Sequence, residues 1–494
     1  MTDPRSLVPR LPPAKLFVGG RFVEPRDGGT IPVSNPATGE KICDAPAAGP
    51  ADVDAAVRAA RRAFEGGPWR TMTARERGKL IRRLGDLLWD RREEFALVES
   101  MNNGKTFRDA IRGDVAPGAA CLAHFSEEPV RIRGEVLPVD GPFHTYVVKE
   151  PVGVVGAIVP WNYPTSLMCW KLGPALAAGC TVVLKPSELT PLTALKLAEL
   201  SQEAGFPDGV LNVLPGYGDP AGEAIARHPD VDKVSFTGSI RTARRLVAAS
   251  GETNLKKLTL ELGGKSPQIV FADADLEKAV HACFWGIFGN KGETCNAGSR
   301  VLVHARGYDA FVAALAERAR AMKVGDPLDP ATEMGAQVSR RQLETVLGYV
   351  RAGREQGARL VAGGERDVEG AKARGHFIRP AVFAEVRPEM TIAQEEIFGP
   401  VVACLRFGDE AEAVAIANGT RYGLAASIWS GDVARAHALA RRLQAGVVWI
   451  NCFNEFDDAA PFGGFKESGW GRDLSHHALD GFLQLKTVWT KLPG

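Results

Sequence analysis

The chain has 494 residues, with 60 Lys and Arg set against 59 Asp and Glu for a formal net charge of +1. That balance lacks the basic excess of a general nucleic-acid binder and gives weight to a small-molecule role. The length exceeds what one hydrophobic core organises, so at least two domains are expected. The eight cysteines are scattered and contain no CxxC pair, so they read as reduced thiols, with no disulfide framework and no metal site expected.

The N-terminal run MTDPRSLVPRLPPAKLF alternates charge and proline and holds no apolar stretch of signal-peptide length. The longest apolar stretches, Val152–Trp161 and Gly173–Leu184, fall short of the roughly 20 residues that span a bilayer. A cytoplasmic protein with no membrane partner is therefore expected. Residues 51–64 and 75–99 carry helical spacing with many Arg/Glu pairs, as a solvated helical layer does. Val130–Glu150 reads as a hairpin, an exposed ribbon that invites pairing with another subunit. From residue 151, short β-branched runs alternate with helix-like ones, the pattern of βαβ units and a mainly parallel sheet. A first series holds GVVGAIVP, a helix around Leu167–Ala178, TVVLKP, a helix from Pro191, VLNVLPG, a helix from Asp219, and VDKVSFTGS. A second holds SRVLVH, a helix over Asp309–Met322, the run Pro400–Phe407, a helix over Glu410–Asn418, AASIWS and VVWIN.

Several residues stand where such folds do chemistry. Cys295, in GNKGETCNAGSR, lies on a glycine-rich segment that leaves the apolar helix-like stretch Ala279–Phe288 and enters a strand. A lone cysteine is more often an inert buried thiol; a nucleophilic one needs a base, for its own proton or for a later water. No histidine lies near it in sequence. Glu261 in LTLELGGKSP ends a β-like run before two glycines, which sets a carboxylate at a domain edge. Asn162 in PWNYP follows the first strand of the series, where open α/β sheets bind ligands, and its amide is of the kind that donates to an oxyanion. Lys185 and Glu188 in LKPSELTP follow the second strand, where an acid can hold a ribose diol; Ser187 or Thr190 would also cap a helix opened by Pro191. Gly238 and Ser239 in SFTGS open a helix over Thr242–Ala249, whose N–H groups suit a phosphate. No GxGxxG is present; GYGDPAG only approximates one.

PWNYP, KPSELTP, FTGS, LELGGKSP, GETCNAGSR, EEIFGPV and PFGGFKESGWGRD occur in an order and spacing that resemble the aldehyde dehydrogenase superfamily, from about Val18 to the C-terminus. The resemblance implies an α/β fold of two parallel-sheet domains plus a small β oligomerisation domain. Residues 1–127 and 152–261 would form an NAD-binding domain, 262–470 a catalytic domain, and 128–151 with 471–494 the oligomerisation elements of a homodimer or homotetramer. By motif, Cys295 matches the nucleophile, Glu261 the general base, and Asn162 with the Cys295 backbone N–H the oxyanion hole. Trp161, Lys185, Ser187, Glu188, Gly238 and Ser239 match positions that hold the adenosine ribose and pyrophosphate, and Glu396 and Phe398 those beside the nicotinamide ribose. NAD⁺ is the implied cofactor, with NADP⁺ the weaker alternative because Glu188 would repel a 2′-phosphate. Ala243 departs from the glycine of many relatives. Asp473 stands where many carry glutamate in a proton path with a lysine that matches Lys171, so protons pass by that pair or from Glu261 through water.

The implied reaction is NAD-dependent oxidation of an aldehyde to a carboxylate through a Cys295 thioester. Tyr163, Trp170, Phe288, Phe456 and Phe462 match an aromatic substrate channel with Glu455 at its mouth. The run GRDLSHHALDGFLQLKTVW resembles γ-glutamyl-γ-aminobutyraldehyde and aminoaldehyde dehydrogenases, and Tyr163 with Trp170 betaine aldehyde dehydrogenases. A cationic aldehyde is one reading; a general aliphatic or aromatic aldehyde is the other. A cysteine hydrolase, which would need a positioned histidine and no nicotinamide, and a silent homologue on the same fold are the remoter alternatives.

Overall fold

The structure is a computed structural model describing residues 3–493; the first two residues and the last, at the limits of the first and third units expected above, lie outside the described residues. Two large sheets form its centre. The first runs in the order Arg21–Val23, Leu16–Val18, Leu211–Val213, Thr181–Lys185, Val154–Ile158, Lys233–Thr237, Lys257–Glu261 and Gly469–Trp470. Its five middle strands are parallel, and its outer ones antiparallel. By chain order the parallel strands stand third, second, first, fourth, fifth, the doubly wound arrangement expected of alternating βαβ units. The strands Val154–Ile158, Thr181–Lys185 and Lys233–Thr237 are buried at every position, because helices cover both faces of the sheet.

The second sheet runs Arg359–Ala362, Ala381–Ala384, Val401–Phe407, Arg300–His304, Pro267–Val270, Ala425–Trp429 and Val447–Ile450, parallel except at its first strand. LELGGKSP joins the two sheets: Glu261 ends the last parallel strand of one and Pro267 begins the first strand, in chain order, of the other. The chain therefore crosses between the two α/β units at the residue read as a base.

A third, small sheet holds the expected hairpin, with Glu135–Leu137 antiparallel to Phe143–Pro151. The C-terminal strand Leu483–Lys491 pairs with the other edge of Phe143–Pro151 over nine positions. Some expectations shift. Residues 75–99 form two helices, Ala74–Asp90 and Arg92–Asn103, because Arg91 leaves helical geometry at ψ 19°. Leu16–Val18 and Arg21–Val23 pair as a hairpin through Gly19 and Gly20, both at positive φ, which the series above does not include. Among the described residues no helix is long and apolar enough to cross a membrane.

Candidate active site

The switch point of the first sheet lies between Val154–Ile158 and Lys233–Thr237, and the loops leaving those strands open a cavity of about 220 Å³. Pro160, Trp161 and Asn162 line it from one strand end, Thr237, Gly238 and Ser239 from the next, and Glu261, Leu262 and Gly263 from the third. From the second unit come Cys295, Gln342, Glu396 and Phe398. The helix Pro164–Ala178 starts with proline in its first turn and is buried at every residue except Trp170, so the turn holding Asn162 is fixed from behind. Asn162 Nδ2 donates to the Glu293 carbonyl at 3.0 Å. A side chain at Gly264 would come within 2.6 Å of the Cys295 carbonyl oxygen, and one at Gly263 within 2.0 Å of Glu396 Oε2. These glycines let both groups stand against the inter-sheet segment.

Charges in the cavity are shaped by burial. Both Glu261 carboxylate oxygens are buried without a hydrogen-bond partner among the described residues. Desolvation, and then the Asp473 charge, hold this carboxyl well above the ordinary range, while Lys171 and Arg472 pull it back. The Cys295 thiol is pushed up to about 12 by burial and then by Glu396 and Glu261, against the N–H groups of Asn296 and of Cys295 itself. The resting sulfur is a neutral thiol, close enough to two carboxylates to feel both. Burial also lifts Glu396 to about 7, although Gly264 N–H donates to its Oε1 at 3.1 Å. Lys171 and Asp473 form a buried ion pair, Nζ to Oδ2 2.5 Å, so the shorter acid still reaches its lysine. An unpartnered buried carboxyl beside a neutral thiol and an amide donor is equipped for acyl chemistry on a carbonyl.

The sequence matches the aldehyde dehydrogenase family over residues 22–488. The human mitochondrial aldehyde dehydrogenase is 46% identical over 480 residues, 97% of this chain and 92% of that one. The NAD⁺ complex of the Bacillus cereus aldehyde dehydrogenase superposes with a TM-score of 0.95 at 46% identity, covering 97% of this chain and 96% of that one. A Pseudomonas syringae indole-3-acetaldehyde dehydrogenase in complex with NAD⁺ and IAA gives 0.96 at 45% identity, covering 99% of this chain and 98% of that one. The chain belongs to the aldehyde dehydrogenase family.

The residues of this dehydrogenase fit a dinucleotide. Helix Ile240–Glu252 begins at the switch point, where Ser239 Oγ accepts from Thr242 N–H at 3.3 Å; the N–H groups of its first turn have no intrahelical partner. Thr237 Oγ1 is buried there without a partner among the described residues. Trp161 and Phe398 meet edge to face at 5.1 Å, forming a wall. Lys185, Ser187 and Glu188 lie one strand further along, outside the cavity that holds Cys295; Lys185 Nζ donates to the carbonyls of Pro186 and Gly216. Ser187 Oγ accepts from Leu189 N–H, closing a turn, and helix Leu192–Ala204 has no side-chain cap from Ser187 or Thr190.

The expected channel assembles in part. Trp170, Phe456 and Phe462 stack on one another at 5.5 to 6.2 Å, and Tyr163 OH bonds Thr294 Oγ1 at 3.1 Å beside the nucleophile. Phe288 is a correction: it is fully buried and packs on Phe284, one helical turn earlier, in the core of the second unit, so it lines no channel. Glu455 is exposed in a separate cleft with Lys278, Arg318 and Trp285. Gln342 was not legible. Its Nε2 donates to the Phe398 carbonyl at 2.6 Å, fixing a residue held at φ 55°, yet in sequence it is one more polar residue near a helix start.

Proposed function

We propose that Cys295, Glu261 and Asn162 carry the aldehyde oxidation of this enzyme, supported above all by the buried, unpartnered Glu261 carboxyl in the cavity that holds the Cys295 thiol. Trp161, Lys185, Ser187, Glu188, Gly238, Ser239, Glu396 and Phe398 would hold NAD⁺, which supplies a hydride acceptor when bound. The thiol gives its proton up to solvent and sulfur attacks the carbonyl carbon as a thiolate; a C–S bond forms and the C=O pair moves to oxygen. The second Nδ2 hydrogen of Asn162 and the Cys295 N–H donate to that oxyanion. Loss of hydride from carbon leaves a thioester on Cys295. Water then adds to it while Glu261 accepts a proton; the C–S bond breaks, sulfur leaves, and the acid departs. Lys171 and Asp473 carry the proton on from Glu261.

For the substrate, the Trp170–Phe456–Phe462 stack supports an uncharged aldehyde with an apolar body. Lys278 and Arg318 in the Glu455 cleft offset its acids and weaken attraction for a cation. A second reading, a cationic aminoaldehyde or betaine aldehyde, draws on Glu455, Asp457 and Asp458, which bracket the exposed Phe456. Benzaldehyde and hexanal are expected to exceed aminobutyraldehyde and betaine aldehyde in kcat/KM with NAD⁺, and the reverse order of aldehydes would favour the cationic reading; NADP⁺ is expected to be the poorer acceptor, and equal use of it would remove Glu188 as the discriminating acid. The small sheet carries Val136, Leu485 and Trp489 exposed, which supports a homo-oligomer joined there.

A further inference from the structure

The turn before the nucleophile is held by charges that the reaction does not use. Lys291 and Glu293 are both fully buried, with Nζ and Oε2 3.0 Å apart. Lys291 Nζ also donates to Asn103 Oδ1 at 2.6 Å, and Asn103 Nδ2 donates to the Trp161 carbonyl at 2.8 Å. The Glu293 carbonyl accepts from Asn162 Nδ2 at 3.0 Å. The path therefore closes, from the backbone of Trp161 through Asn103, Lys291 and Glu293 to the side chain of the next residue, Asn162. Two anchors fix the circuit: Val338 N–H donates to Glu293 Oε1 at 3.0 Å, and Asn290 Nδ2 donates to the carbonyls of Asn162 and Glu293 at 3.1 Å each.

The backbone here needs such anchors. Asn290, Lys291 and Gly292 follow one another at φ 43°, 65° and 75°, a left-handed run that residues with side chains keep only where the surroundings hold it. A side chain at Gly292 would meet the Gly399 backbone at 2.2 Å, so the turn is also wedged against the segment that bears Phe398. The Asn162 amide has one satisfied side: Nδ2 spends one hydrogen on Glu293, and Oδ1 is buried without a partner among the described residues. Turned over, the amide would set its oxygen against the Glu293 carbonyl and lose its donor to the cavity.

We infer that the buried Lys291–Glu293 pair, through Asn103, is a positioning device that keeps the Asn162 amide nitrogen aimed at the reacting carbonyl; this rests on the oxyanion role proposed for Asn162. The test is a double-mutant cycle read by the stopped-flow NADH burst with NAD⁺ and propanal. Asn162→Ala is expected to slow the burst ~100- to 1000-fold, and Lys291→Met ~100-fold with NAD⁺ affinity unchanged. Added to Asn162→Ala, Lys291→Met should cost less than about twofold more, because the donor it serves is gone. Should Lys291→Met not fold, the cycle is read with the same expectations on Lys291→Gln/Glu293→Gln, which removes both charges together. A loss as large in the Asn162→Ala background as in the wild type, or a folded variant whose burst stays within about twofold of wild type, would overturn the inference. An unchanged burst in Asn162→Ala alone would instead bring down the oxyanion role, and the inference with it.

Discussion

At the scale of single residues, the site depends on carboxyls and amines that burial has moved from their ordinary behaviour. Glu261 has its pKa raised by desolvation and Asp473, so its basic form appears only as pH climbs above the usual carboxylate range. Thioester hydrolysis in single turnovers should therefore rise with pH through a limb placed higher than an ordinary glutamate's, and the limb should vanish in Glu261→Gln. A flat profile in the wild type would remove Glu261 as the base. Asp473→Asn takes away a charge that raises Glu261 and leaves Lys171 buried without its partner. Loss of the Asp473 charge lowers the Glu261 pKa, so the limb should move to lower pH. The same variant should lose about 3–5 kcal/mol of stability, read as a drop in Tm, while Asp473→Glu keeps the pair. Cys295, Glu261 and Asn162 were legible because each sits at a strand end or in a glycine-rich loop. Asn103, Lys291 and Gln342 were not, because each acts through partners as far as 188 residues away that no local spacing encodes.

Among elements, legibility followed burial and turn chemistry. The fully buried parallel strands Val154–Ile158, Thr181–Lys185 and Lys233–Thr237 announce themselves as β-branched runs. The hairpin over Leu16–Val23 lay outside the expected series: LFVGGRFVE does set Gly-Gly between two apolar runs, with the glycines at φ 58° and 78°, but each strand is only three residues long. The break at Arg91 was not legible: WDRREEF holds neither glycine nor proline, and how the two helices pack decides it. The C-terminal strand illustrates a third case. Only the family resemblance pointed to it, because its partner, Phe143–Pro151, lies more than 300 residues earlier. Trp489 stands 58% and Leu485 70% exposed on this sheet, more apolar surface than a free edge normally shows. Trp489→Lys with Leu485→Lys should reduce the assembly to smaller species by analytical ultracentrifugation while the monomer stays folded; unchanged sedimentation would move the subunit contact elsewhere.

For the molecule as a whole, the two sheets matter because neither makes the site alone. The doubly wound order puts Asn162 and Ser239 at neighbouring strand ends, and the Glu261–Pro267 crossover brings the second unit's Cys295 against them. The channel was less legible than the reaction site: helical spacing turned Phe288 into the core, whereas Trp170 and Phe462, which no local pattern links, meet at 5.6 Å across the fold. The central claim is that oxidation passes through an acyl group on Cys295 which Glu261 helps to release. Its most direct test is intact and peptide mass spectrometry of Glu261→Gln, acid-quenched after mixing with NAD⁺ and propanal, with Cys295→Ala as the control. The account predicts one acyl group per chain on the peptide bearing Cys295, formed with a matching burst of NADH, and neither acyl group nor NADH in Cys295→Ala. An unmodified Cys295 during turnover, or NADH production that survives Cys295→Ala, would contradict it.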